Sequence, residues 1–145
     1  MIALLQRVRS AHVDVGVRRV AAIGPGLLVF ACVQPDDTPV RIERLAERLI
    51  AYRVFPDAAG RMNLGLRDTG GGLLLVSQFT LAADTRSGLR PGFSTSAPPD
   101  AARAGFEALV AACRARWPVV QTGCFGADMQ VGLVNDGPAT FWLQG

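Results

Sequence analysis

Residues 2–33 read IALLQRVRSAHVDVGVRRVAAIGPGLLVFACV. Short apolar segments rich in valine are broken near Gly16 and at Gly24-Pro25-Gly26, which predicts three or four strands joined by turns. Leu27-Leu28-Val29-Phe30 reads as a buried strand. Downstream, Thr38 caps a helix that opens on Pro39, and Ile42, Leu45, Ala46, Leu49 and Ile50 recur on one core-facing side of it. Arg41, Glu43, Arg44, Glu47 and Arg48 fill its solvated side. A second helix is predicted to start at Pro98-Pro99-Asp100, with Phe106, Leu109, Val110, Cys113 and Trp117 as its apolar stripe and Pro118 as its stop. Many strands with only two main helices favour α+β over a doubly wound parallel sheet. The expected architecture has mostly antiparallel β-sheets forming a barrel-like or layered core, with the two helices packed on one side. No linker, repeat or low-complexity segment divides the chain, so a single domain over residues 1–145 is expected.

Composition narrows the function classes. A chain of 145 residues buries about 68–70% of the surface its unfolded form exposes, enough for one ordinary core. No apolar run of about 18 residues suggests a membrane span, and the N-terminus lacks a long apolar leader, so a cytoplasmic protein is expected. Cys32, Cys113 and Cys124 are odd in number and far apart, which offers neither a disulfide framework nor a paired-cysteine metal site. The formal charge is +3 and the pI about 9.2. All 15 basic residues are arginine, a side chain that pairs with phosphate bidentately and stacks on bases. They are scattered, so any nucleic-acid contact is assembled in three dimensions.

Two polar segments carry the chemistry. Leu73-Leu74-Leu75-Val76 is a strand that runs directly into Ser77-Gln78-Phe79-Thr80, which places a polar cluster at the end of a buried element. Asn135-Asp136-Gly137-Pro138 interrupts the alternating run from Met129 to Leu143, so two strands around a pointed loop are predicted there. Asn and Gly suit a turn, but the proline removes a donor and fixes φ, and a Gly-Pro backbone can approach a ligand closely. The segment from Arg86 to Pro99 is predicted to be an ordered surface loop. Thr80 is the tempting nucleophile, yet no histidine, lysine or terminal amine lies near to activate it, and a strand-end threonine whose hydroxyl orders its loop is the favoured reading. The lone histidine, His12, sits in a valine-rich strand and reads as an ordinary strand residue. Asp84, Asp128 and Asp136 are the acids closest to the polar segments, and local turn or cap roles suit them. Backbone N–H groups where the strand turns are the alternative source of chemistry, as a cradle for a developing oxyanion.

These segments, in this order, resemble the D-aminoacyl-tRNA deacylases of the bacterial and eukaryotic type. The likeness runs from Gln6-Arg7-Val8 through Gly26-Leu27-Leu28-Val29, Arg61-Met62-Asn63-Leu64, Ser77-Gln78-Phe79-Thr80-Leu81 and Arg90-Pro91-Gly92-Phe93. It continues through Gly126-Ala127-Asp128-Met129 to Val134-Asn135-Asp136-Gly137-Pro138-Ala139-Thr140. Three positions depart from the family pattern: Gly92 stands where a small polar residue is commoner, Cys32 where glycine is, and Cys124 where a charged or polar residue is.

The resemblance implies an enzyme that hydrolyses the ester between a D-amino acid and the terminal adenosine of tRNA, and also acts on mischarged glycyl-tRNA. It implies a homodimer in which the Gly137-Pro138 loop of one subunit, with a cis proline, enters beside Ser77 to Thr80 of the other. The loop carbonyls would face the substrate amino group and leave no room for an L side chain. Ser77 and Gln78 would shape the pocket, backbone N–H near Phe79 and Thr80 would hold the carbonyl oxygen, and Thr80 would position groups. Met129 would line the adenosine side, and Asn135, Gly137 and Pro138 would form the substrate-binding loop. Much of the activation would come from the RNA 2′-hydroxyl, with neither a cofactor nor a metal. Arg7, Arg86 and Arg90 are candidate phosphate contacts. Two other readings stay open: a non-catalytic RNA-binding homodimer, and a hydrolase of small esters with Thr80 as nucleophile.

Overall fold

The computed structural model describes residues 1–145. Its organising element is β1 (Ile2–Val15), whose two edges pair with three other strands. On one edge β3 (Gly26–Cys32) takes the first half, from Ile2 to Val8, and β2 (Arg18–Ile23) takes the second, from Ala11 to Val15. On the other edge lies β8 (Gln130–Gln144), paired along almost the whole strand. Side chains alternate between faces every two residues, so Ala3, Leu5, Ala11 and Val13 of a regular strand would share one face. They do not. Ala3 and Leu5 belong to the main core, whereas Val8, Ala11 and Val13 belong to a second one. The register against β8 shifts between Gln6 and Val8 and again between Val8 and Ser10, and such irregularities bend a strand and turn its faces. This bend curls the sheet toward the nearly closed, barrel-like form expected for the α+β chain.

The chain then leaves the antiparallel pattern. From β3 it passes through α1 (Pro39–Ala51), the short hairpin of β4 (Phe55–Pro56) and β5 (Met62–Leu64), and the one-turn α2 (Leu66–Thr69). It re-enters the sheet as β6 (Gly72–Ser77), parallel to β3. A 3-10 turn (Phe79–Ala82), a long loop and α3 (Pro99–Arg116) lead to β7 (Val120–Thr122), parallel to β6. Parallel neighbours require long crossovers, and α1 and α3 provide them. The antiparallel pairs remain the majority, and the hairpin and α2 are additions that the apolar pattern did not announce.

The helix signals perform as their chemistry dictates. Thr38 Oγ1 accepts from the Arg41 amide at 3.3 Å, Pro39 opens α1, and Ile42, Leu45, Ala46, Leu49 and Ile50 are its buried residues. In α3 the buried face includes Phe106, Leu109, Val110 and Cys113, and the helix ends one residue before Trp117. Trp117 instead packs its ring beside the core and donates Nε1–H to the Gly71 carbonyl at 2.9 Å. Both helices cover one face of the sheet, where Leu27, Val29, Leu73 and Leu75 join them in a core of 23 buried residues. Leu28, Leu74 and Val76 point the other way, into the smaller core with Val8, Val13 and Ile23. At the start of the β3–β6 pair the backbones nearly touch: a Cβ on Gly26 would fall 2.0 Å from the Gly72 carbonyl oxygen.

The C-terminal stretch corrects one expectation. It is one strand, β8, and not two strands around a loop, because both sides of the interruption pair with the same β1. Thr140 faces Gln6 and Asn135 faces Val8, so five steps on β8 span two on β1. The surplus residues, Asp136 to Ala139, bulge out as a protrusion within the strand. The Gly137-Pro138 peptide in it is cis.

Candidate active site

β3 and β6 run parallel and end side by side, and ligands of such sheets sit beyond the carboxyl ends of the strands. Here β6 stops at Ser77, and the chain is tied to its neighbour before it turns: the Gln78 amide donates to the Ala31 carbonyl at 2.8 Å. The Cys32 thiol contacts the Phe79 carbonyl at 3.5 Å. The turn that follows, Phe79–Ala82, is a 3-10 helix, so the N–H groups of Phe79 and Thr80 have no partner within it. Beside this turn opens a cavity of about 450 Å³. Ser77, Gln78 and Phe79 form one wall, Met129 and Phe125 another, and the start of α3 at Pro99 and Ala102 a third. None of the twelve lining residues is ionisable.

The structure therefore gathers Ser77, Gln78, Phe79 and Met129, four of the residues singled out in the sequence. Thr80 is adjacent but does not line the cavity; it is exposed, and its hydroxyl accepts a hydrogen bond from the Gln78 side-chain amide. No acidic or basic side chain hydrogen-bonds to it. His12 lies across the sheet with its ring against Gly132, where a Cβ would fall 2.3 Å from the imidazole, and 3.7 Å from the Asp14 carboxylate. Asp84 is held by both carboxylate oxygens on the Arg86 guanidinium, at 2.9 and 2.8 Å, which keeps its carboxyl well below the usual carboxylate range. No group of three or more His, Cys, Asp or Glu side chains forms that would hold a metal ion.

The Arg86–Pro99 loop closes the rim. Asp84 and Gly92 exchange both backbone hydrogen bonds, at 2.8 and 2.9 Å, which pinches the loop at its base. This brings the Phe93 ring onto Phe79, with centroids 5.2 Å apart. Aromatic contact of this kind fixes the otherwise exposed Phe79. Phe125 was not singled out in the sequence, and Phe93 entered only as the end of the Arg90-Pro91-Gly92-Phe93 stretch, without a role. Their signal was an aromatic residue beside glycine in each of two turn-like segments.

Asn135, Gly137 and Pro138 do not reach this cavity within their own chain. They stand on the protrusion of β8, which is anchored from beneath. The Asn135 amide nitrogen donates to the Arg7 carbonyl at 2.9 Å and to the Ala139 carbonyl at 3.3 Å. Arg7 is nearly buried, and its Nε donates to the Asp136 carbonyl at 2.8 Å while another guanidinium nitrogen donates to the Val54 carbonyl at 2.5 Å. The Asp136 carboxylate lies 3.6 Å from both Arg7 and Arg9. Of the three arginines read as phosphate contacts, Arg7 is thus occupied internally and Arg86 is paired to Asp84, whereas Arg90 is exposed and unpaired. Gly137 and Pro138 are left exposed at the tip. The edge of β8 away from β1 has no strand beside it, and Val134 and Trp142 are about half exposed, at 53% and 52%.

Comparison with known proteins gives this geometry a family. The model of the family described as D-Tyr-tRNA(Tyr) deacylase matches residues 4–144. A D-aminoacyl-tRNA deacylase of Stenotrophomonas maltophilia (strain K279a) is 59% identical over 145 residues, covering 99% of each chain. One from Burkholderia cenocepacia (strain J2315) is 59% identical over 149 residues, covering 99% of this chain and 98% of the other. Among solved structures, the c-Myc DNA Unwinding Element Binding Protein superposes with a TM-score of 0.95 at 33% identity, covering 100% of this chain and 99% of that one. A second, described as a "probable eukaryotic D-amino acid tRNA deacylase", superposes at 0.85 and 16% identity over 98% of each chain, a likeness of fold alone. With the matched model spanning nearly the whole sequence and the relatives almost three-fifths identical, the chain belongs to the D-Tyr-tRNA(Tyr) deacylase family.

Proposed function

We propose that this protein hydrolyses the ester linking a D-amino acid to the terminal adenosine of tRNA, accepts glycine in the same place, and rejects L-amino acids. The observation that carries the mechanism is a cavity next to Ser77, Gln78 and Phe79 with no ionisable side chain in its wall. Such a site favours chemistry by fixed dipoles and by the substrate itself. Water adds to the ester carbonyl carbon, and the carbonyl oxygen becomes an oxyanion held by the Phe79 and Thr80 N–H groups. One such donor contributes about 2.7–4 kcal/mol where it has been measured. The bond to the ribose 3′-oxygen then breaks, and the neighbouring 2′-hydroxyl supplies a proton path to that leaving oxygen. Free tRNA and the amino acid result. Ser77 and Gln78 shape the pocket, Gln78 orients Thr80, and Met129 faces the adenosine.

Chiral selection in this reading needs a second copy of the chain. Support comes from the arrangement just described: the Gly137-Pro138 protrusion is exposed, anchored through Arg7 and Asn135, and absent from the lining of its own cavity. It also comes from the unpaired, partly apolar edge of β8. In a homodimer the protrusion of one subunit enters the cavity of the other, its two carbonyls face the substrate amino group, and its backbone excludes an L side chain. Glycine, with no side chain, passes. The test is release of D-tyrosine, L-tyrosine and glycine from charged tRNA by purified protein, with the oligomeric state measured by light scattering. Equal rates for the two enantiomers, or full activity of a monomer, overturn the reading.

A further inference from the structure

On the far side of Phe125 from the cavity lies a second groove of about 480 Å³, between α3 and the Thr122–Phe125 segment. Its cations are Arg103 and Arg114, with Glu107 between them; at i, i+4 and i+11 all three project from one face of α3. Resting on the deacylase reading of the neighbouring cavity, we infer that this groove carries the single-stranded end of the RNA substrate. Arg103 and Arg114 each meet a different phosphate upstream of the terminal adenosine.

Three observations carry this. First, the groove and the cavity share Phe125 as a wall, so a chain whose last nucleoside occupies the cavity leaves directly into the groove. The Arg86–Pro99 loop offers a single unpaired arginine, Arg90, because Arg86 there is already paired with Asp84. Second, Arg103 and Arg114 form no ion pair within the protein, whereas Arg116 on the same helix is paired with Glu43 at 2.6 Å. Third, eleven residues of helix separate the backbone positions of the two arginines by about 16 Å along the axis. Two cations carried that far apart along one groove suit a polyanion with spaced charges better than a single phosphate. Glu107, one turn from Arg103 and two from Arg114, repels a phosphate beside it but accepts hydrogen bonds from ribose hydroxyls or base amino groups, which a nucleotide chain presents between its phosphates. The Arg103 guanidinium carbon lies 4.7 Å from the Phe125 ring centroid, and guanidinium groups and aromatic rings are both surfaces on which unpaired bases pack.

The experiment compares Arg114→Gln with Arg67→Gln, an exposed arginine on α2 that removes the same charge elsewhere. Gln keeps the helix propensity of Arg, so folding is retained. With D-aminoacyl-tRNA, Arg114→Gln is expected to raise KM about fivefold at moderate salt with kcat unchanged. The slope of log KM against log salt should also fall by about 0.7, the value for one lost single-strand phosphate contact. D-aminoacyl-adenosine, too short to reach the groove, should be cleaved at the wild-type rate by both variants. Equal behaviour of the two variants toward tRNA, or equal loss on both substrates by Arg114→Gln, overturns the groove. Binding of uncharged tRNA separates the two readings. An Arg114-dependent salt slope in binding, without hydrolysis of either substrate by the wild type, keeps the groove and rejects the deacylase; hydrolysis without that slope does the reverse.

Discussion

Arg7 is the residue whose removal most directly tests how the β8 protrusion is held. Arg7→Met keeps the aliphatic stem and its packing but deletes the guanidinium that donates to the Asp136 and Val54 carbonyls. Hydrogen bonds from a charged donor are worth about 1.5–3 kcal/mol each, and with one acceptor on buried Val54 the two together are worth at least the lower value each. The expected loss is about 3 kcal/mol. At roughly 3 °C per kcal/mol for a chain of this size, the thermal midpoint should fall by about 10 °C. Function should suffer more than stability, because the Asp136 carbonyl directly precedes Gly137 and its release frees the tip. A displacement on the order of 1 Å at a positioning group costs about 100-fold in rate. The assay is scanning calorimetry beside D-aminoacyl-tRNA turnover at a temperature where the variant remains folded. Arg7→Lys, which reaches one carbonyl but lacks the fork, should fall between. An unchanged midpoint would refute the anchoring, and a lowered midpoint with wild-type turnover per folded molecule would sever the protrusion from catalysis.

Other substitutions probe the remaining parts. Thr80→Ala should lower turnover by no more than about tenfold, the weight of one positioning hydrogen bond; complete loss in a folded variant would restore Thr80 as a nucleophile. Gly26→Ala places a Cβ 2.0 Å from the Gly72 carbonyl, backbone that has nowhere to move, so urea denaturation should show a loss of more than about 3 kcal/mol or no folded protein. Burial pushes the Cys113 thiol up to about 12 and raises that of Cys32, whereas Cys124 is exposed. A thiol reagent at pH 8 should therefore label Cys124 alone until the protein is unfolded, as mass spectrometry of the modified peptides would reveal. Asp84 has its carboxyl depressed by Arg86. Its contribution is present above the ordinary carboxylate value near 4 and disappears only as pH falls through the lower folded value. Amide exchange at Gly92 should accordingly stay protected at pH 4 and lose protection in stronger acid. Loss of protection already at pH 5 would contradict the pairing.

Local chemistry was readable wherever a residue acts on its own neighbourhood. Thr38 and Pro39 set the start of α1, the apolar spacing set its buried face, and Gly16 and Gly24 to Gly26 set the limits of the first three strands, because caps, helical periodicity and turn residues operate within a few positions of the chain. The polar cluster after Val76 was legible for the same reason. Register was not. That β8 is one strand with a protrusion, and that β3, β6 and β7 lie parallel, follows from pairing between residues as much as 142 positions apart, such as Ile2 with Gln144. Nothing near those residues encodes such pairings. Arg7 shows the difference most plainly: in sequence it is one of fifteen scattered arginines, and only the curl of β1 against β8 buries it beneath Asp136. The sequence by itself determined the first three strands, β6, the two main helices, the polar motifs and the family likeness, but not the β4–β5 hairpin, α2 or the continuity of β8. The tertiary structure decided which motif lines a cavity, which one stands apart on an exposed strand, and which arginines remain free to meet a ligand, since these depend on burial and distance across the fold.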